Sequence, residues 1–263
     1  MADAEYDPFA AGPHQVDVCR GRDGSLRVVA PELASHAGET AAARAARIDA
    51  IIGSRVPDVQ FLLDHLLGGD TRVEVDAARI GLVGHSFGGC TVLATPEVDS
   101  RVRSVVALAP SGSSNPKPGI LPLKLSFDWG RDVPTLYLAA EDDVPIPLAG
   151  VYELFDRTPS SKRMFILRRA DHQHFIEDVE EAHEAVQAAT FPPEAAWIPV
   201  AMRPIAELSS GEQAHTFVRG LTLAHFDLTL GQMTTAERFL SGDVEADLAA
   251  RGVEAFIRPH VTA

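Results

Sequence analysis

The feature that most constrains this chain is the run Arg79-Ile80-Gly81-Leu82-Val83-Gly84, which passes without a break into His85-Ser86-Phe87-Gly88-Gly89-Cys90. A short apolar run bounded by turn residues predicts a strand buried on both faces of a parallel sheet. The small residues after it open a helix over Phe87 to Thr95. A serine on so tight a strand-to-helix turn has a strained backbone, so the flanking glycines are expected because side chains there would collide. The turn lifts the Ser86 hydroxyl above the sheet edge. The lysine that a phosphate-cradling loop needs after its glycines is absent.

The rest of the chain repeats the strand-then-helix rhythm. Gln15 to Cys19 and Leu26 to Ala30 read as early strands. Arg103 to Leu108, Pro134 to Ala139 and Met164 to Leu167 read as later ones, joined by polar or proline-bearing connections. Helices are expected over Ala41 to Ile52 and Asp58 to Leu67, with Pro57 in a first turn and Gly68-Gly69 at an end. Further helices are expected from Phe175 to Val186, stopped by Phe191-Pro192-Pro193, and over Glu212 to Leu230, Thr235 to Leu240 and Asp243 to Ala250. The prediction is an α/β fold: a doubly wound, mostly parallel sheet of about six strands with helices on both faces. One domain is expected over residues 1–263, with 194–263 as a helical C-terminal segment docked on the core.

A serine hydroxyl is a poor nucleophile at neutral pH and needs a histidine to accept its proton and an acid to orient that histidine. Glu141-Asp142-Asp143 follows the strand ending at Ala139, and all three carboxylates compete for the acid's role. Asp143 is preferred, because a turn of two or three residues brings it back to the sheet edge; Asp142 is second and Glu141 third. His172 and His174 both follow the strand ending at Leu167, with His172 preferred. The amide of Phe87 is the expected oxyanion donor. His85 is expected to pack beneath the turn, its side chain directed away from Ser86. The apolar loop 111–133 suggests a substrate-binding role for Phe127 and Trp129.

Composition narrows the substrate. A formal net charge of −14 opposes nucleic acid and anionic membrane surfaces, leaving a small neutral or hydrophobic molecule. No apolar run reaches membrane-spanning length and the start lacks a secretory signal, so a cytoplasmic protein is expected. Cys19 and Cys90 are too few for a disulfide framework or a zinc cluster, and Cys90 reads as a small buried side chain.

Gly84-His85-Ser86-Phe87-Gly88-Gly89, with Asp76-Ala77-Ala78-Arg79-Ile80-Gly81 and Pro57-Asp58-Val59-Gln60-Phe61-Leu62-Leu63-Asp64 before it, resembles the dienelactone-hydrolase-like branch of α/β-hydrolases. The resemblance is to platelet-activating-factor acetylhydrolase-like and chlorophyllase-like esterases. Asp7 to Pro13, His172-Gln173-His174-Phe175 and Phe217 to Leu221 are similar to that group as well. The resemblance implies a serine hydrolase acting on small carboxylic esters with no metal or organic cofactor. It carries over Ser86 and His172 by motif.

Two departures stand out. The strand Val105-Val106-Ala107-Leu108 carries no following carboxylate, which directs the search for the acid to Asp143. The family's early His-Gly loop, which completes the oxyanion hole, has only Ser35-His36-Ala37-Gly38 as an echo, and the first 56 residues imply an abbreviated sheet. Loss of one oxyanion donor costs about 2.7–4 kcal/mol, so a weak esterase is one expectation. A thioesterase or amidase on the same three residues, or a non-catalytic hydrolase-like scaffold, stays open.

Overall fold

A computed structural model describes residues 6–9, 38–68, 75–110, 117, 120 and 125–258. The expected early strands Gln15 to Cys19 and Leu26 to Ala30, and most of the Ser35 to Gly38 echo, lie outside them. The chain divides into two compact units, residues 13–77 and residues 1–12 with 78–263.

In the smaller unit one helix, α1 (Ala41–Leu67), is capped by Thr40, whose side chain accepts from the Ala43 amide at 3.2 Å. Two helices with Pro57 starting the second were expected. Pro57 instead lies inside a single continuous helix. Helical spacing holds on both sides of the proline, so the chain bridges one missing backbone bond, at a cost of roughly 3 kcal/mol.

In the larger unit, β1 (Ile80–His85), α2 (Phe87–Val98), β2 (Val102–Leu108), β3 (Thr135–Ala140), α3 (Leu148–Arg157) and β4 (Lys162–Leu167) come first. Then follow α4 (Val179–Ala188), α5 (Trp197–Ala201), α6 (Gly211–Thr229), α7 (Thr234–Ser241), α8 (Val244–Ala249) and β5 (Ala255–Ile257). The sheet order is β1-β2-β3-β4-β5; the first four strands are parallel and β5 is antiparallel to β4. Neither α3 nor β5 was foreseen from the sequence. β1 was expected to be covered on both faces, yet among the described residues it is an edge strand with Val83 half exposed.

The two faces of the central strands sort by alternation, since successive strand residues point to opposite sides. Val106, Leu108, Leu136, Leu138, Phe165 and Leu167 point one way and share a cluster with Phe217, Leu221 and Ala224 of α6 and with Val244 and Leu248 of α8. Tyr137 points the other way, onto Phe155 of α3, with ring centroids 5.6 Å apart. Helices therefore cover both faces, and β2 and β3 are buried throughout but for Arg103. Because β1 to β4 run in parallel, their C-terminal ends meet at one edge of the sheet, and residues just past those ends can converge there. Among the described residues, no helix is long and apolar enough to cross a membrane.

Candidate active site

Ser86 sits between β1 and α2 with φ 56° and ψ −116°, a left-handed conformation that costs about 1–3 kcal/mol in a residue with a side chain. Its amide donates to the Leu108 carbonyl at 2.9 Å, which ties the turn to β2. The steric demand for glycine falls unevenly around it. A Cβ on Gly84 would run into the backbone carbonyl of Gly88, and one on Gly89 would lie 2.9 Å from the Pro110 Cα. A Cβ on Gly88 would meet nothing within 4 Å. The expectation that both glycines flanking the serine are forced by collision thus holds for Gly84 alone, and Gly89 is the second position under constraint.

Asp143 lies just past β3. It is buried, and its Oδ1 accepts from the Ile146 amide at 2.8 Å, which locks the carboxylate in place. His172 lies past β4 at the start of a single 3₁₀ turn, His172–Phe175. Its Nδ1 is 2.7 Å from Asp143 Oδ2 and its Nε2 is 2.8 Å from Ser86 Oγ. A carboxylate only accepts, so Nδ1 carries the proton and Nε2 is left as the acceptor of the Ser86 hydroxyl. Burial of the ring pulls its pKa down, but the charge and hydrogen bond of Asp143 and the charge of Asp171 overcome this and hold it above the ordinary histidine value.

The competing residues are engaged elsewhere. Asp142 is bound by Arg203 at 3.0 Å, and Glu141 by Arg168 at 3.1 Å and the Arg169 amide at 3.3 Å. His174 is fully buried; its ring meets Asp171 and the Ser209 carbonyl and does not join Ser86. His85 packs against His172 with ring centroids 4.6 Å apart and against Phe175 at 5.7 Å. Burial, followed by repulsion from a charged His172, pushes its pKa far down, so it stays neutral beside the candidate base. Phe87 is the first residue of α2, and the positive end of that helix faces the Ser86 turn. Cys90, one turn further on, is buried.

Phe127 and Trp129 do not line this site. They are 6% and 5% exposed. The segment carrying them is anchored at the opposite edge of the sheet. Leu125 accepts from Arg157 at the end of α3, and Ser126 donates to Glu97 at the end of α2. Arg131 donates to the Val102 carbonyl at 2.7 Å, at the start of β2. The sequence suggested a loop beside Ser86 because loop 111–133 leaves β2 there. β3 runs parallel to β2, however, so it begins at the far end of the sheet, and residues 125–133, which hold the aromatics, lie there. Among the described residues, no group of three or more His, Cys, Asp or Glu is arranged to hold a metal ion.

Residues 8–259 match the sequence pattern described as "Alpha/beta hydrolase family". No curated protein matches the chain. Among solved structures, a ferulic acid esterase from Streptomyces cinnamoneus is similar, with a TM-score of 0.50 and 24% identity over 70% of this chain and 50% of the esterase. The likeness is one of fold, and the matched region spans half the length of that esterase.

Proposed function

Since the chain belongs to the α/β-hydrolase family, we propose that it hydrolyses small carboxylic esters by two-step acyl transfer through Ser86, His172 and Asp143. The observation that carries this reading is the single imidazole of His172, 2.8 Å from Ser86 Oγ on one side and 2.7 Å from Asp143 Oδ2 on the other. His172 Nε2 takes the hydroxyl proton as Ser86 Oγ bonds to the ester carbonyl carbon. The Phe87 amide, at the positive end of α2, faces the oxygen on which charge develops. His172 returns the proton to the departing alcohol. It then takes one from water, which attacks the acyl-enzyme and restores Ser86. Asp143 keeps the ring in the productive tautomer and stabilises the imidazolium.

The motif residues around Ser86 favour an esterase of the dienelactone-hydrolase-like branch, and since the resemblance implies a cysteine nucleophile for dienelactone hydrolysis itself, Ser86 points away from that one activity. We read residues 1–263 as one hydrolase domain; two separate calorimetric unfolding transitions would count against that.

The test is labelling by a fluorophosphonate probe, run beside Ser86→Ala, with turnover of p-nitrophenyl acetate, p-nitrophenyl octanoate and methyl ferulate. Labelling and ester turnover are expected in the parent and not in the variant. A folded parent that neither labels nor turns over any ester refutes the reading in favour of a binding scaffold. Preference for an acyl thioester or an anilide would move it to a thioesterase or amidase.

A further inference from the structure

Immediately before His172, Asp171 is 3% exposed; its carboxylate meets the Gln173 amide and two imidazoles, and its own amide donates to His174 Nδ1 at 3.0 Å. Oδ1 accepts from the Gln173 amide at 2.9 Å and lies 2.8 Å from His174 Nδ1, while Oδ2 lies 2.5 Å from His183 Nδ1. Both imidazoles are wholly buried. His174 Nε2 donates to the Ser209 carbonyl at 2.9 Å. Ser209 in turn donates from its amide to the Arg169 carbonyl at 2.6 Å and from its hydroxyl to the Arg168 carbonyl at 3.0 Å. One carboxylate thus joins the end of β4, the 3₁₀ turn, α4 and the segment entering α6. Removing one partner from a buried charged network of this kind is expensive, whereas an apolar plug of the same volume would hold the fold equally well. The proposed acyl transfer uses none of these atoms directly.

We propose that Asp171, clamped by His174 and His183, is a positioning residue for His172: it fixes the backbone that presents the base and places a second fixed negative charge behind the imidazolium. The inference rests on the reading of Ser86, His172 and Asp143 as the reacting set. Asp143 orients the ring from its Nδ1 side, but the backbone of His172 needs its own anchor. That anchor is the Asp171 cap on the 3₁₀ turn. Burial pushes the Asp171 carboxyl up, yet the neighbouring His174 and His183 rings and the Gln173 amide hold it below the usual carboxylate range, so it is ionised at neutral pH.

The other titratable groups around His172 are accounted for. Asp143 contacts it directly, and His85 of β1 is held neutral. Asp142 and Glu141 are paired with Arg203 and Arg168. On α4 and α6, Glu180 accepts from the Gly211 amide at 2.7 Å and His215 Nε2 donates to the Ile176 carbonyl at 3.1 Å.

Asp171→Asn keeps the shape and removes the charge. Asp171 acts on His172 through the backbone and its charge and not by a hydrogen bond to the ring. Groups that orient histidines from outside at metal sites contribute about 10–100-fold, which sets the order expected here. The expected result is therefore a fall in kcat of about that size with KM within about twofold. The acidic limb of the pH profile of kcat/KM should move to lower pH by about half a unit or more, because a lost negative charge lowers the His172 pKa. A purely structural role would reduce active protein without moving that limb.

The same shift should appear in the NMR titration of the His172 ring, measured in a Ser86→Ala background where no chemistry occurs. If the parent fails to hydrolyse esters but the ring titration shifts, the proposed function fails and the positioning role stands. An unmoved limb and an unmoved ring titration in a folded Asp171→Asn overturn the positioning role. Should that variant not fold, His183→Leu and His183→Gln decide. Leu, which removes the donor, should lower kcat at least fivefold, and Gln, which can still donate to Oδ2, should restore most of it. Equal, parent-like kcat in both refutes the inference.

Discussion

Replacing Asp143 with asparagine tests the site most severely, because the substitution preserves shape and reverses one hydrogen bond. Oδ1 of the asparagine still accepts from the Ile146 amide, now 2.8 Å from Asp143 Oδ1, so the side chain stays where it is. Its NH₂ group then faces His172 Nδ1 across the present 2.7 Å gap. Two donors cannot share that contact, so the ring adopts the other tautomer, with its proton on Nε2 facing Ser86 Oγ. A ring protonated there cannot accept the hydroxyl proton. The expected loss in kcat is about ten-thousand-fold, about 5.5 kcal/mol at the transition state. KM should stay within about threefold and the melting temperature should change little. Asp142→Asn breaks only a half-exposed pair with Arg203, an interaction of about 0–1 kcal/mol, and should leave turnover within about threefold. The assay is p-nitrophenyl acetate hydrolysis at pH 8, with folding checked by circular dichroism. An Asp143→Asn protein that keeps more than a tenth of parental kcat, or an Asp142→Asn protein that loses as much as it, refutes the reasoning.

Three other consequences can be measured. Because the His172 pKa is raised and the base must be neutral, parental activity should fall as pH drops through a value above 6.5; an acidic limb below 6 would contradict the charge arrangement around the ring. Gly84→Ala should lower stability by roughly 3 kcal/mol or more while Gly88→Ala folds normally, as read by urea denaturation; equal effects would refute the uneven steric demand around Ser86. Trp129→Ala should cost roughly 3–5 kcal/mol of stability while leaving KM for short esters within about twofold, and a raised KM would return Trp129 to the substrate site.

His225 supplies a pH dependence of stability that is separate from activity. Its ring, buried beside Ser104 with Nε2 2.9 Å from the serine Oγ, is pushed by desolvation from the ordinary histidine value of 6.5 down to about 4. Its neutral form is native, and the unfolded chain takes up a proton first. Stability is therefore fully present above pH 6.5 and is lost as pH falls toward 4, by about 3 kcal/mol for this one group. His225→Gln should lose less stability than the parent between pH 7 and pH 4 in urea titrations, and identical slopes would refute the assignment.

What the sequence settled about this protein is local. An apolar run of strand length, a serine between small residues and a helix-forming stretch define the β1–Ser86–α2 unit, because each depends on neighbours only a few positions away. Placing Asp143 past one strand drew on the rule that parallel strands end at a common edge, and His172 past another was supported as well by the family resemblance. What tertiary structure decided depends on residues distant in sequence. Which of three adjacent carboxylates meets the imidazole is set by Arg203 and Arg168 holding the other two. Which histidine faces the serine is set by Asp171 and Ser209 capturing His174. That Phe127 and Trp129 belong to the far edge follows from where β3 must begin. The strand β5 was hidden because three residues carry no readable alternation and exist as a strand only through pairing with β4. Periodicity and turn chemistry are written along the chain, whereas the partner that a charge or a ring selects is determined only when distant segments compete for it in space.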